Sequence, residues 1–563
     1  MNHKKVLIIG LDGATWTVLK PWMEDGTLPN LEKLRSNGCW GELRSTIPPL
    51  TAPAWSTFLT GKNPGKHGVF HFVPLDDGAE PDDSARADKP EIVDARSIQS
   101  STLWDILGHH ERKIGSINVP MSYPPRPVNG FMITCLLTPP NAAVFTYPPE
   151  LSKRLDGYQI DLDRFIDQKP FARDEQGAAQ KRIVKPSLQL VDEFYEMEEK
   201  RAEAALELMN SQLWDTFMVV FTATDRMGHY LWPYHQQGDG TPEGDAIHQA
   251  IRKLYQRLDE HIGALVAKAG PETSVIIMSD HGMGPIYSRN THWNNWLYKN
   301  GYLTITKSSQ KTLDGWLLRL GIPRDRLREV VRLIPGLSQS RVATKAKTAK
   351  TATIDYRTSR AYYARVFDPV GGIFINATGV EREQLIQELM TNVRGLTDPG
   401  TGKPIVREIF RREECYHGPH VQGLPDIILL MHPEYGSSDR LSNYSAIVTE
   451  RPQISDPGGH HLEGIFIASG RGIVARSQAL EGLDIQDVAP TVLYLMGLPI
   501  PSDMDGRPVL EICGMEASEV PPPEEGVPLG RWPSEAEAQP ILETVSGGDE
   551  VILDRLRALG YVE

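Results

Sequence analysis

Residues 274–284 read SVIIMSDHGMG. A short, nearly continuous apolar run is how a strand buried on both faces of a parallel sheet reads. This one stops at Asp280 and His281, followed by glycine. Three other runs have the same character: VLIIGL (6–11), FMVVFTAT (217–224) and GIFIAS (464–469). Helical patterns separate them. Residues 196–210, EMEEKRAEAALELMN, hold strong helix formers. Over 247–268, Ile251, Leu254, Leu258, Ile262 and Leu265 recur at spacings of three and four, one apolar face ended by Gly270 and Pro271. Alternation of strand and helix predicts an α/β fold with a doubly wound, largely parallel central sheet.

Outward from these runs, two stretches break the alternation. The expected division is a catalytic core in three parts (1–120, 196–299 and 431–515), an insertion at 121–195 and a cap insertion at 300–430. An acidic linker with a C-terminal helix (516–563) completes it. The cap stretch contains a basic helical patch (312–334), a lysine-rich linker (341–353) and strand-like GGIFINA (371–377) and DIILLM (426–431). The closing VILDRLRALGYVE (551–563) reads as a docked helix.

The chain has 563 residues, 40% hydrophobic and 23% charged, the balance of an ordinary globular protein. A formal net charge of −14 argues against a nucleic-acid polymer as partner, but a local cation site can still attract an anionic substrate. The four cysteines, Cys39, Cys135, Cys415 and Cys513, are scattered and form no CxxC. The first apolar run is too short for a secretory leader, and no stretch approaches the roughly 18 apolar residues of a membrane span. A cytoplasmic location is the resulting expectation.

In an open α/β sheet, ligands gather beyond the carboxyl ends of the strands. Asp12 follows the first run, Asp225 the second with His229 four residues on, and Asp280-His281 the third; His460 and His461 precede the fourth. One such residue alone is ordinary, since an aspartate caps helices and a histidine settles in turns. Together they form a set of oxygen and imidazole donors without thiolate, which suits Zn²⁺ and tolerates Mn²⁺ or Fe. Six donors exceed one catalytic zinc, and two ions about 4 Å apart fit better. No GxGxxG follows the first strand and no P-loop spacing occurs.

Residues 46–61, TIPPLTAPAWSTFLTG, add a hydroxyl. Thr51 has the makings of an N-cap, with Pro53 in the first helical turn. It also suits a nucleophile held where a helix end favours an anion.

The ordered set LDG, TAPAWSTFLTGKNPGKHG, TDRMGH, SDHGMG and GGHHLEGIFIASG resembles the alkaline phosphatase superfamily. Within it, the chain resembles the type I phosphodiesterase and nucleotide pyrophosphatase branch over residues 5–500, and a prokaryotic group described as predicted phosphohydrolases or phosphomutases. The resemblance implies an alkaline-phosphatase-like core with inserted caps and a small phosphorylated substrate. It implies Thr51 as the nucleophile, forming a phospho-threonine. One divalent cation would be held by Asp12, Thr51, Asp280 and His281, the other by Asp225, His229 and His460, with His461 the alternative for the last. Zinc is the expected metal, manganese its substitute. The chain departs from the branch at Ala54, where an asparagine usually follows the proline, and no matching motif supplies a phosphate-gripping arginine. A phosphomonoesterase or phosphomutase on the same core is the alternative, and a metal-binding scaffold without catalysis a further one. A sulfatase lacks support, because the arginine of its signature is absent after Thr51.

Overall fold

The computed structural model describes residues 4–74, 91–140, 142–162, 171–173, 179–181, 186–307, 353–439, 441, 446–451, 457–513, 521–530, 548–558 and 561. The basic patch and nearly all of the lysine-rich linker fall outside the described residues.

Among the described residues, nine strands form the central sheet: β1 (Lys5–Leu11), β2 (Cys39–Arg44), β3 (Ile114–Ile117), β4 (Gly130–Ile133), β5 (Thr146–Tyr147), β6 (Thr216–Phe221), β7 (Thr273–Met278), β8 (Glu463–Gly470) and β9 (Leu480–Asp484). Their order is β9-β2-β8-β7-β1-β6-β3-β4-β5. The four runs read from the sequence are therefore consecutive neighbours, β8-β7-β1-β6. Every residue of β6 and β7 is buried, as is β1 beyond Lys5, which accounts for their lack of alternation. Only β5 and β8 run against the other strands. That direction matters. The start of β8 lies at the same sheet edge as the ends of β1, β6 and β7, so a histidine before β8 can meet acids after the others.

The helices expected at 196–210 and 247–268 are longer, spanning Leu188–Ser211 and Pro242–Ala269. Upstream caps explain this: Ser187 accepts from the Leu190 amide and Thr241 from the Gly244 amide. The predicted apolar face, Ile251 to Leu265, is buried. Strands β4 and β5 come from residues 121–195 and extend the central sheet; at four and two residues they are too short to show a period.

A second, antiparallel sheet joins Ala361–Phe367, Val370–Ile375, Ile427–Met431 and Val406–Arg411 in that order. It contains the two strand-like pieces read from the cap. An apolar cluster binds it to the main body: Ile47 and Phe70 on one side, Val370, Tyr416, Ile428 and Leu430 on the other. Among the described residues no helix is long and apolar enough to cross a membrane.

Candidate metal centre

Each donor owes its place to a local device. Asp12 follows β1, its amide bonded to Phe221 O at 2.9 Å. The next residue, Gly13, has φ +64, and a Cβ there would stand 3.0 Å from the Asp225 backbone. A side chain is disfavoured on both counts. Its amide donates to Asp280 Oδ1 at 3.2 Å. Asp225 lies on the first turn of helix Ala223–Leu231, not at the strand end, because β6 stops at Phe221. The helix then brings His229 onto the same face one turn later. Glu198, buried on the neighbouring helix, caps this one from outside, accepting from the Thr222 and Ala223 amides at 2.8 and 2.7 Å.

His460 sits in the short strand Gly458–His461, paired antiparallel with Gly282–Pro285 and facing Met283 in register. Successive side chains of a strand point oppositely. His460 points into the cluster, 4% exposed, and His461 points away to Pro285 O at 3.5 Å.

The donors converge. Ligand atoms of Asp12, Asp280 and His281 lie within 4.8 Å of one another, as do those of Asp225, His281 and His460. His281 thus belongs to both groups rather than one, its ring stacked on His460 with centroids 3.6 Å apart. His229 Nε2 is 2.9 Å from His460 Nε2 and 3.4 Å from Asp225 Oδ1.

Thr51 does not cap its helix. Leu50 holds the N-cap position of helix Thr51–Thr60 and Thr51 is the first helical residue. Its hydroxyl is left to the cluster: Oγ1 lies 3.4 Å from His281 Nε2 and 3.3 Å from Tyr561 Oη. Lys62, and Lys66 and His67 on the short helix Pro64–His67 beyond it, are engaged elsewhere. Lys62 pairs with Asp503, Lys66 with Asp505, and His67 with Thr57 Oγ1.

The cluster fits cations on its own evidence. One oxygen each of Asp12, Asp225 and Asp280 is buried without a hydrogen bond (Oδ1, Oδ1 and Oδ2). Burial and the neighbouring Asp280 and Asp225 carboxylates push the Asp12 carboxyl well above its ordinary range. Burial and Asp225 push Asp280 to about 7. Burial and His281 push His460 down to about 3. Burial also opposes the Asp225 charge, but His229, His460 and Arg226 outweigh it and hold its carboxyl well below the usual range. Three carboxylates crowded away from water repel one another, and a dication relieves both the repulsion and the lost hydration.

Two participants were not singled out from the sequence. Arg226, inside TDRMGH, is fully buried and donates to Asp225 Oδ2 at 2.5 Å and Asp161 Oδ2 at 2.9 Å. Its position within the motif was the available signal. Tyr561 lies about a hundred residues beyond the last motif, and nothing local marks it.

A sheet edge presenting buried acids, histidines and a buried threonine hydroxyl offers donors for divalent cations beside that hydroxyl. The family described as type I phosphodiesterase / nucleotide pyrophosphatase has a model that matches residues 6–443. The chain belongs to that family. Among solved structures it is similar to phosphonoacetate hydrolase from Sinorhizobium meliloti 1021 in complex with phosphonoacetate: 14% identity, TM-score 0.50, covering 88% of this chain and 95% of that one. It is also similar to human ectonucleotide pyrophosphatase/phosphodiesterase 5: 14% identity, TM-score 0.46, covering 90% and 98%. The likeness to phosphonoacetate hydrolase concerns the fold alone. No curated protein matches the chain.

Proposed function

We propose that the protein hydrolyses a phosphodiester or pyrophosphate bond in a small molecule through a phospho-threonine at Thr51. The observation that carries this is the Thr51 hydroxyl: fully buried, unused as a cap, and in contact with His281, whose ring nitrogen also lies 3.3 Å from Asp280 Oδ2 and 3.7 Å from Asp12 Oδ1. In this reading Asp12, Thr51, Asp280 and His281 hold one divalent cation, and Asp225, His229 and His460 hold the other. Two such ions, zinc by the donor set, supply Lewis acidity and neutralise charge on the phosphoryl group and leaving oxygen. Thr51 Oγ1 forms its bond to phosphorus in line as the bond to the alcohol or nucleotide oxygen breaks; the threonine proton passes to solvent, and the leaving oxygen takes up a proton from solvent. Water then cleaves the phospho-threonine and restores the hydroxyl. The helix beginning at Thr51 turns its positive end toward the phosphoryl group. The four cysteines are free thiols, in keeping with a reducing compartment and a cytoplasmic site of action.

The test compares bis-p-nitrophenyl phosphate with p-nitrophenyl phosphate, with zinc or manganese added. Diester preference is expected, and monoester preference moves the reading to a phosphomonoesterase. Thr51→Ala should lose at least about 100-fold in kcat while staying folded. A folded Thr51→Ala with native turnover removes the covalent route. Asp280→Ala and His229→Ala should each lose one equivalent of metal by elemental analysis.

A further inference from the structure

Tyr561 enters the centre from the far end of the described chain. It is 1% exposed. Its ring stacks on Phe72 with centroids 5.1 Å apart, and the rings of His229 and His460 lie 6.0 and 5.6 Å away. Its hydroxyl accepts from Arg226 Nη1 at 2.9 Å and donates to Asp225 Oδ2 at 3.0 Å. Thr51 Oγ1 stands 3.3 Å from it.

This placement is built. The preceding helix, Gly548–Ala558, buries Ile552, Leu553 and Leu556. Arg555, 2% exposed, donates to the carbonyls of Leu136 and Thr138. The Tyr561 amide closes on Leu556 O at 2.9 Å. A core contact would need only a ring. Here the hydroxyl bridges a reacting hydroxyl and a carboxylate, with a buried guanidinium polarising its oxygen.

Among the described residues, the side-chain partners of Thr51 Oγ1 are Tyr561 and His281. Phosphorus must come within about 3–3.5 Å of Oγ1 to react. An oxygen on that phosphorus then falls within reach of a phenol 3.3 Å from Oγ1. We propose that Tyr561 is a catalytic residue, its hydroxyl rotating from Asp225 to donate a hydrogen bond to the phosphoryl oxygen as Thr51 attacks. This rests on Thr51 as nucleophile. A donor aimed at developing charge contributes most in the transition state.

The full-length protein tests it, as Tyr561→Phe, Tyr561→Ala and Thr51→Ala. Metal content and thermal melts are measured first, then orthovanadate affinity by calorimetry at full metal load, then kcat and KM on bis-p-nitrophenyl phosphate. Tyr561→Phe keeps the ring and should keep both metals and its melting temperature. It should bind orthovanadate about tenfold more weakly and lose about 100- to 1,000-fold in kcat with KM little changed, the scale of one lost donor. Native vanadate affinity and kcat in Tyr561→Phe overturn the proposal. Loss of metal with unchanged vanadate affinity after resaturation also overturns it, since the phenol then only orients Asp225. A Tyr561→Ala enzyme with kcat/KM above native overturns it too, by making the ring a plug. Native turnover in Thr51→Ala sinks the threonine reading itself, whereas an inactive Thr51→Ala beside a native-like Tyr561→Phe sinks Tyr561 alone.

Discussion

Thr51 and Ser56 share one buried helix, and both side chains are fully covered. Their surroundings separate them. Thr51 Oγ1 meets His281 and Tyr561, whereas Ser56 Oγ is buried with no hydrogen-bond partner among the described residues. A serine at that point of a helix is expected to bond back to the preceding turn, and this one does not. Ser56→Ala therefore removes an unsatisfied hydroxyl. It should leave diesterase activity intact and stability unchanged or raised by up to about 1 kcal/mol, read from a denaturant melt. Thr51→Ser keeps the nucleophile and loses a methyl, so it should retain appreciable turnover; a Thr51→Ser as inactive as Thr51→Ala would mean the hydroxyl is not what Thr51 provides. Asp12, Asp280 and His281 were legible because each lies within three residues of the end of a strand whose burial is written in its apolar run. His460 was separable from His461 by motif spacing, and strand alternation gives the physical reason. Tyr561 was not legible, because only the docking of its helix against Leu136 and Thr138 brings it to the centre.

Among elements, the helix Ala223–Leu231 is the one whose start most affects the donors. It carries Asp225 and His229, and its first amides are satisfied by Glu198 rather than by a residue of its own. Glu198 also pairs with Arg201, 0% exposed, which donates to Thr222 Oγ1 at 3.2 Å. Glu198→Ala strands two amides and takes the paired carboxylate from a buried guanidinium. The expected cost is about 3–5 kcal/mol, seen as a lower melting temperature, together with weaker metal retention at Asp225. Glu198→Gln keeps an acceptor and should recover part of both; equal melting temperatures for Glu198→Ala and the native protein would refute the capping role. The four main strands could be read from sequence because burial on both faces imposes apolar runs. The reversed direction of β8 could not, since a buried strand reads alike either way.

Across the whole molecule, several histidines away from the centre are buried in the neutral form. Burial and His420 hold His67 down to about 3, burial and Arg365 hold His71 to about 4, and burial holds His235 and His292 each to about 4. Their folded pKa values lie below the unfolded value near 6.5, so the unfolded chain binds more protons between these limits. Stability from these groups is complete above about pH 6.5 and falls as pH drops toward 4, each adding at most about 1.4 kcal/mol per pH unit. Melting temperatures at pH 7.5, 5.5 and 4.5 should therefore decline in that order, and a rise on acidification would contradict the neutral assignment. The position of β8 has another consequence. It lies between β7 and β2, so β2 and β9 join the sheet only through it. A nascent chain on the ribosome can assemble β7-β1-β6-β3-β4 and then wait, its β7 edge open, until residues 463–470 emerge. Such an edge invites pairing with other chains, and the late, long-range insertion makes folding slow. The strand that closes the gap follows directly on His460. Closing the sheet also carries His460 to Asp225 and His281, so on the proposed reading a two-ion centre would be complete only once the sheet is whole.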